Sequence, residues 1–110
     1  MMFAPRINSR AMRNAARGEH CTLEIVGACW GGTDTTVLAH LPDESHGISR
    51  KPDDLSACFA CVTCHDVIDG RRPWPSGEKG SRDGYMRRAQ TRTWRRLFEK
   101  GVLNIKGVTI

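Results

Sequence analysis

No stretch of this sequence approaches the roughly twenty apolar residues of a membrane-spanning helix, so membrane insertion is not expected. The opening MMFAPRINSRAMRNAARG also lacks the continuous apolar run of a secretory signal. It contains Arg and no acid, a composition shared by mitochondrial presequences and by ordinary basic helices. Aromatic residues are sparse: three Phe, three Trp and one Tyr among 110 residues, with only 39% of the chain apolar. That length suits one domain with a small core, and small cores are often reinforced by disulfides or a metal ion. Disulfides are disfavoured because the five cysteines are odd in number and no export signal accompanies them. A reducing, cytoplasmic setting follows as the expectation, and there spaced cysteines more often bind metal.

What the chain does have is charge, unevenly placed. The formal net charge is +5. Residues 1–20 carry four Arg against one Glu; residues 21–70 carry eight acids against Arg50 and Lys51; residues 71–110 carry eleven bases against three acids. An acidic middle between basic ends suits carboxylates gathered around a cation and guanidinium groups reaching for phosphate. A solvated helical face at each end gives the same counts.

The pattern of elements is α+β. INSRAMRNAARG predicts a first helix capped by Asn8 or Ser9 and ended by Gly18. CTLEIVGAC predicts an extended segment, TTVLAHLP a strand stopped by Pro42, and LSACFA a returning strand. CVTCHDVIDG predicts a helix of about two turns ending at Gly70. RRPWPSGEKGSRDG is a turn-rich connector, and the following stretch predicts the longest helix, with Met86, Ala89, Thr93 and Leu97 inward. VLNIKGVTI is expected to add a last strand. A single domain over 1–110 follows, with an N-terminal helix at 1–20, a core at 21–72, and connector plus basic helix at 73–110.

Cys61 and Cys64 form a C-x2-C pair at a strand-to-helix junction, one half of a tetrahedral zinc site. Cys21 and Cys29 are expected to supply the other half. Cys58 lies in an apolar strand and reads as a buried free thiol; His20, beside Cys21, could replace a thiol but reads rather as an exposed residue. His65 follows Cys64, so on a helix it points about 100° away from the structural ion. Asp69, one turn on, shares its face, and the two could hold an exchangeable divalent cation with positions left for water and phosphate. Local packing of His65 beside a solvated Asp69 fits the spacing equally. His40, at the end of a β-branched strand, is placed to take a proton from water, although a lone strand histidine is more often structural. His46, Arg50 and Lys51 occupy the polar loop between the strands.

Together AARGEHCTLEIVGAC, TTVLAHLP, KPDDL and ACVTCHDVIDGR resemble the small phage and prophage nucleases of the YbcO type, and more broadly the ββα-metal fold of HNH, or His-Me finger, endonucleases. The resemblance covers residues 14–72 and extends loosely to the last helix. It implies a zinc-stapled HNH-like core in the bacterial host cytoplasm, with Cys21, Cys29, Cys61 and Cys64 on structural zinc. It implies His40 as general base and His65, with Asp69, on a catalytic divalent ion (Mg²⁺, Mn²⁺ or Zn²⁺). Two positions depart from the pattern: Ala39 stands where a metal-binding Asp often precedes the first His, and the middle Asn has Asp53 or Asp54 as its nearest counterpart. The expected activity is hydrolysis of phosphodiesters in nucleic acid, DNA ahead of RNA. Arg50, Lys51, Arg71, Arg72, Arg87, Arg88, Arg92, Arg95 and Arg96 are the candidate phosphate contacts. A non-catalytic, zinc-stapled nucleic-acid-binding accessory protein is the alternative, and a protein-binding zinc domain a third.

Overall fold

The computed structural model describes residues 6–42 and 53–109. His46, Arg50 and Lys51 lie outside the described residues. Helix α1 spans Arg10–Ala15 and is capped by the Ser9 side chain, which accepts from the Met12 N–H. Strands β1 (Val37–His40) and β2 (Ala57–Ala60) pair antiparallel, with Leu38 opposite Phe59, Ala39 opposite Cys58 and His40 opposite Ala57. Helix α2 (Val62–Ile68) follows β2 after Cys61 alone. A 3₁₀ turn at Lys79–Ser81 leads into helix α3, Arg82–Glu99.

Side-chain alternation along the strands divides the core in two. Ala39, Cys58 and Ala60 face a cluster with Leu23, Ile25, Cys64, Val67 and Ile68, so α2 and the cysteine-bearing loop cover that side. Leu38, Ala57 and Phe59 face Met12, Ala16 and Leu97, so α1 and the end of α3 cover the other. Helix α3 serves both clusters, burying Tyr85 and Ala89 in the first and Leu97 in the second. Thr93, between them, is 1% exposed. Met86, expected inward, is only partly buried, and Tyr85 takes the buried place beside it.

Two expected strands are absent, for different reasons. Residues 21–29 bury Leu23 and Ile25 as a strand would, but Glu24 has a φ of 48° and Gly27 one of 84°. These left-handed residues curl the segment until Cys21 and Cys29 meet. The tail does not form a strand because its first amides finish α3. Val102 N–H donates to Leu97 C=O and Gly101 N–H to Phe98 C=O around a left-handed Gly101, a Schellman closure that packs Val102 on Leu97's cluster.

Candidate metal centre and histidine sites

The four cysteines expected to act together do converge. The sulfurs of Cys21, Cys29, Cys61 and Cys64 all lie within 4.8 Å of one another. Sulfurs held ~2.3 Å from a tetrahedral ion are roughly 3.8 Å apart, so the cage matches a single small cation. Cys61 precedes α2 in an extended conformation and Cys64 sits one turn inside it, which turns both thiols toward the curled 21–29 loop. The loop is tied down at its far end, where the Thr63 hydroxyl donates to the Ala28 carbonyl and Trp30 N–H donates to Cys61 Sγ at 3.4 Å.

Proximity divides charge unequally among the thiols. The Cys21 thiol is drawn down to about 5, chiefly by its hydrogen bond with Cys64 against the opposing effect of burial, with the Cys61, Glu24 and Leu23 amides assisting. Cys64 is pushed up by the same contact and by burial; Cys29 rises to about 11 through burial and the nearby Cys21 charge. Four soft donors, three of them buried and none displaced by an oxygen or a lysine, can hold one metal ion. Cys58 stays outside the cage as expected, fully buried, with burial lifting its thiol to about 12. His20 is exposed.

His40 occupies a different neighbourhood. It shares a sheet face with Leu38 and Ala57, on the α1 side, and its Nε2 lies 2.8 Å from Asp54 Oδ1. Asp54 is 2% exposed and is held by three groups: His40, the Ser9 N–H at 2.6 Å and Arg13 Nη1 at 2.7 Å. Burial alone would raise this carboxyl, but His40, the Ser9 amide and Arg13 outweigh it and hold Asp54 below the usual carboxylate range. Its neighbour Asp53 instead accepts from Ile7 and Leu55 N–H. The sequence offers Asp53 or Asp54 only as the nearest counterpart of the family's middle Asn and does not reveal the bond to the His40 ring. No local sequence signal marks it, because the two residues are 14 apart and meet only through the pairing of β1 with β2.

His65 and Asp69 do share a face of α2, with Nε2 and Oδ2 3.1 Å apart. Arg71 bridges Asp69 and Asp66, each at 2.9 Å. Helix α2 covers the sheet face opposite to the one bearing His40, so the two imidazoles leave from opposite sides of the sheet. Among the described residues, the cysteines are the only group of three or more potential ligands that converges. His65 and Asp69 therefore offer two donors, enough for a cation that keeps most of its water. Ala39, buried on the α2 side, adds none.

The arginines of α3 are largely committed to the protein. Arg92 pairs with Glu24 at 2.7 Å, Arg95 with Glu99 at 3.2 Å, and Arg96 with both Glu19 and Glu99. Arg88 donates to the Leu23 carbonyl at 2.9 Å and lies over the Tyr85 ring. Arg87 and Arg72 are exposed and have no such partner among the described residues. No helix among the described residues is long and apolar enough to cross a membrane.

Comparison with known proteins gives the chain a family. The family described as "Putative nuclease YbcO" matches residues 10–102. A protein of that name from Escherichia coli K12 and another from Enterobacteria phage 82 are each 48% identical over 61 residues. The shared stretch covers 54% of this chain and 64% of each relative. A solved "putative bacteriophage protein" from Escherichia coli K-12 superposes with a TM-score of 0.62 at 37% identity, covering 83% of this chain and 100% of that one. The chain belongs to the YbcO family.

Proposed function

We propose that this protein is a metal-dependent endonuclease of phage or prophage origin, acting on phosphodiesters of DNA in preference to RNA. The name of its family and relatives supports a nuclease. The observation that carries the reading is the His40–Asp54 dyad. Asp54 accepts from Nε2, which fixes the ring and leaves Nδ1 as the basic atom. A partly exposed imidazole so held can take a proton from water as that water attacks phosphorus.

Zinc suits the cysteine cage, where its role is structural: it welds the 21–29 loop to the start of α2. The β1–β2–α2 order is that of an HNH-like ββα core, flanked by α1 before it and α3 after it in one domain. His65 and Asp69 would hold the exchangeable divalent cation, whose chemistry is to neutralise the charge that develops on the phosphate and the departing 3′ oxygen. Among the described residues the sheet is two strands wide and His40 ends β1, so the scheme requires the substrate strand to pass around that end to reach His65 as well. Arg71 must release Asp69 for the cation to bind.

The test is nicking of supercoiled plasmid by zinc-loaded protein, with Mg²⁺ or Mn²⁺ and with EDTA. Cation-dependent nicking is expected, and His40→Ala should lower it at least a hundredfold while zinc content holds and the protein, assayed below its lowered melting transition, stays folded. His65→Ala should raise the cation concentration needed for half-maximal rate. Full activity in His40→Ala would remove the base from the scheme; an unchanged cation requirement in His65→Ala would remove the cation site. A zinc-stapled binding module without catalysis is the second reading, favoured by Ala39 and by the separation of the imidazoles. DNA binding with no cutting under any cation would establish it.

A further inference from the structure

In the connector between α2 and α3, RRPWPSGEKG, the charge pattern gives a role to Arg71 and Arg72 alone and none to Trp74 or Lys79. In the structure the connector forms a cleft of about 660 Å³, within the ~300–1,000 Å³ of small-ligand sites. Trp74 lines this cleft together with Arg72, Lys79 and Arg82, and Asp69 of the proposed cation pair stands in its wall. Its cations differ from those of α3. Among the described residues Arg72 and Lys79 have no acidic partner, and Arg82 reaches only the exposed Asp83, at 3.9 Å. Phosphate would meet these three without displacing an internal acid.

Trp74 is held before any ligand arrives. Prolines at 73 and 75 restrict the backbone on both sides of it. Its ring lies 5.9 Å from that of Tyr85, whose hydroxyl donates to Glu78 and accepts from the Val26 N–H. Pro75 abuts the cysteine loop, since a Cβ on Gly27 would stand 3.1 Å from the Pro75 Cβ. An indole fixed in this way costs little entropy when a flat ring stacks on it.

We infer that this cleft binds single-stranded nucleic acid, with one unstacked base against Trp74 and the adjoining phosphates on Arg72, Lys79 and Arg82. A paired duplex keeps its bases inside the stack and cannot offer one to an indole. Aromatic platforms flanked by cations are the general means of holding single strands. The inference rests on the nuclease reading, which it deepens: the bond to be cut would lie in, or beside, a frayed or unpaired segment.

Binding of labelled octanucleotides to the zinc-loaded protein, measured by fluorescence anisotropy with no divalent cation added, tests it. Single-stranded DNA is expected to bind at least about tenfold more tightly than an abasic octamer with the same phosphates, and more tightly than a blunt duplex. Trp74→Leu should erase the difference between normal and abasic strands, and Trp74→Phe should restore part of it. Arg72→Gln with Lys79→Gln should weaken both strands alike and flatten the salt dependence. Equal binding of normal and abasic strands by the wild-type protein overturns the inference without reference to any variant's folding. So does a preference for duplex, or competition by free dAMP as effective as that by the octamer. No bond is cut in this assay, so a failed nicking experiment leaves the ranking of ligands standing, and a failed ranking leaves the nicking result standing.

Discussion

Asp54 carries more than its size suggests. Its side chain closes the gap between Ser9, Arg13 and His40, and so ties the cap of α1 to the end of β1. Asp54→Ala would leave a backbone N–H without its acceptor and free the imidazole ring, and a loss of about 2–3 kcal/mol in unfolding free energy is expected by denaturant titration. Asp54→Asn, nearly isosteric, should keep more of the stability yet still impair nicking, because an amide can present its N–H to the ring and favour the wrong tautomer. Glu19, held by Arg96 and Lys100, is drawn down to about 2 from 4.5, mainly by the Arg96 hydrogen bond. Asp54 is lowered too. Both folded-state values lie below the unfolded ones, so both groups stabilise the fold at neutral pH; the Glu19 contribution is lost as pH falls from 4.5 toward 2, and that of Asp54 is lost below its unfolded value of 3.8. A melting temperature flat near neutrality and falling steeply below about pH 4.5 is the expected profile. Glu19→Gln should make that acid limb shallower, and an unchanged limb would assign it to other groups. None of these bonds could be seen in the sequence, since Asp54 lies 45 residues from Ser9 and 14 from His40.

At the scale of elements, local rules and long-range closure divide the outcome. Ser9 as cap, Pro42 after β1, and the glycines that end α2 and α3 act within one turn of chain, and the structure forms those elements where the sequence predicts them. Residues 21–29 broke the rule because four sulfurs must meet: alternation at Leu23 and Ile25 reads as a strand, while the left-handed turns at Glu24 and Gly27 come from closing the cage. Among the described residues β2 has no third strand on its outer edge, and Thr22 and Thr93 take that place. The Thr22 N–H and hydroxyl both donate to Phe59 C=O, at 2.7 and 2.8 Å. Phe59 N–H donates to Thr93 Oγ1 at 2.9 Å. With its own proton committed to Phe59, Thr22 Oγ1 accepts from the Thr93 hydroxyl at 3.1 Å. Thr93 was legible only as an inward position; its hydroxyl proves to seal a sheet edge. Thr93→Val keeps the shape and leaves Phe59 N–H buried without a partner, so a loss of about 1–3 kcal/mol is expected, read from urea denaturation at unchanged slope.

For the molecule as a whole, the cysteine cage joins parts that otherwise meet through a thin core. The cluster on the α2 side draws four of its buried positions or flanks from Cys21, Cys29, Cys61 and Cys64, and the same loop presses on Pro75 and so on the Trp74 cleft. Structural zinc in small domains contributes roughly 10–16 kcal/mol of apparent binding free energy, against about 5–15 kcal/mol for the total stability of a typical domain. On the proposed structural-zinc reading, removing the ion should therefore unfold this side of the molecule rather than soften it. Treatment with a strong chelator at neutral pH is expected to abolish the cooperative thermal transition by circular dichroism, and to release one zinc per chain by mass spectrometry. Two serine variants distinguish metal from mere packing. Cys64→Ser removes a ligand and should lose both zinc and the transition. Cys58→Ser sits equally deep in the same cluster but outside the cage, so it should keep the metal and shift the melting temperature by only a few degrees. If Cys64→Ser melted like Cys58→Ser, the thiols would be ordinary buried side chains. The 21–29 loop would then owe its curl to Leu23 and Ile25 alone, and the Trp74 cleft would lose its link to the metal.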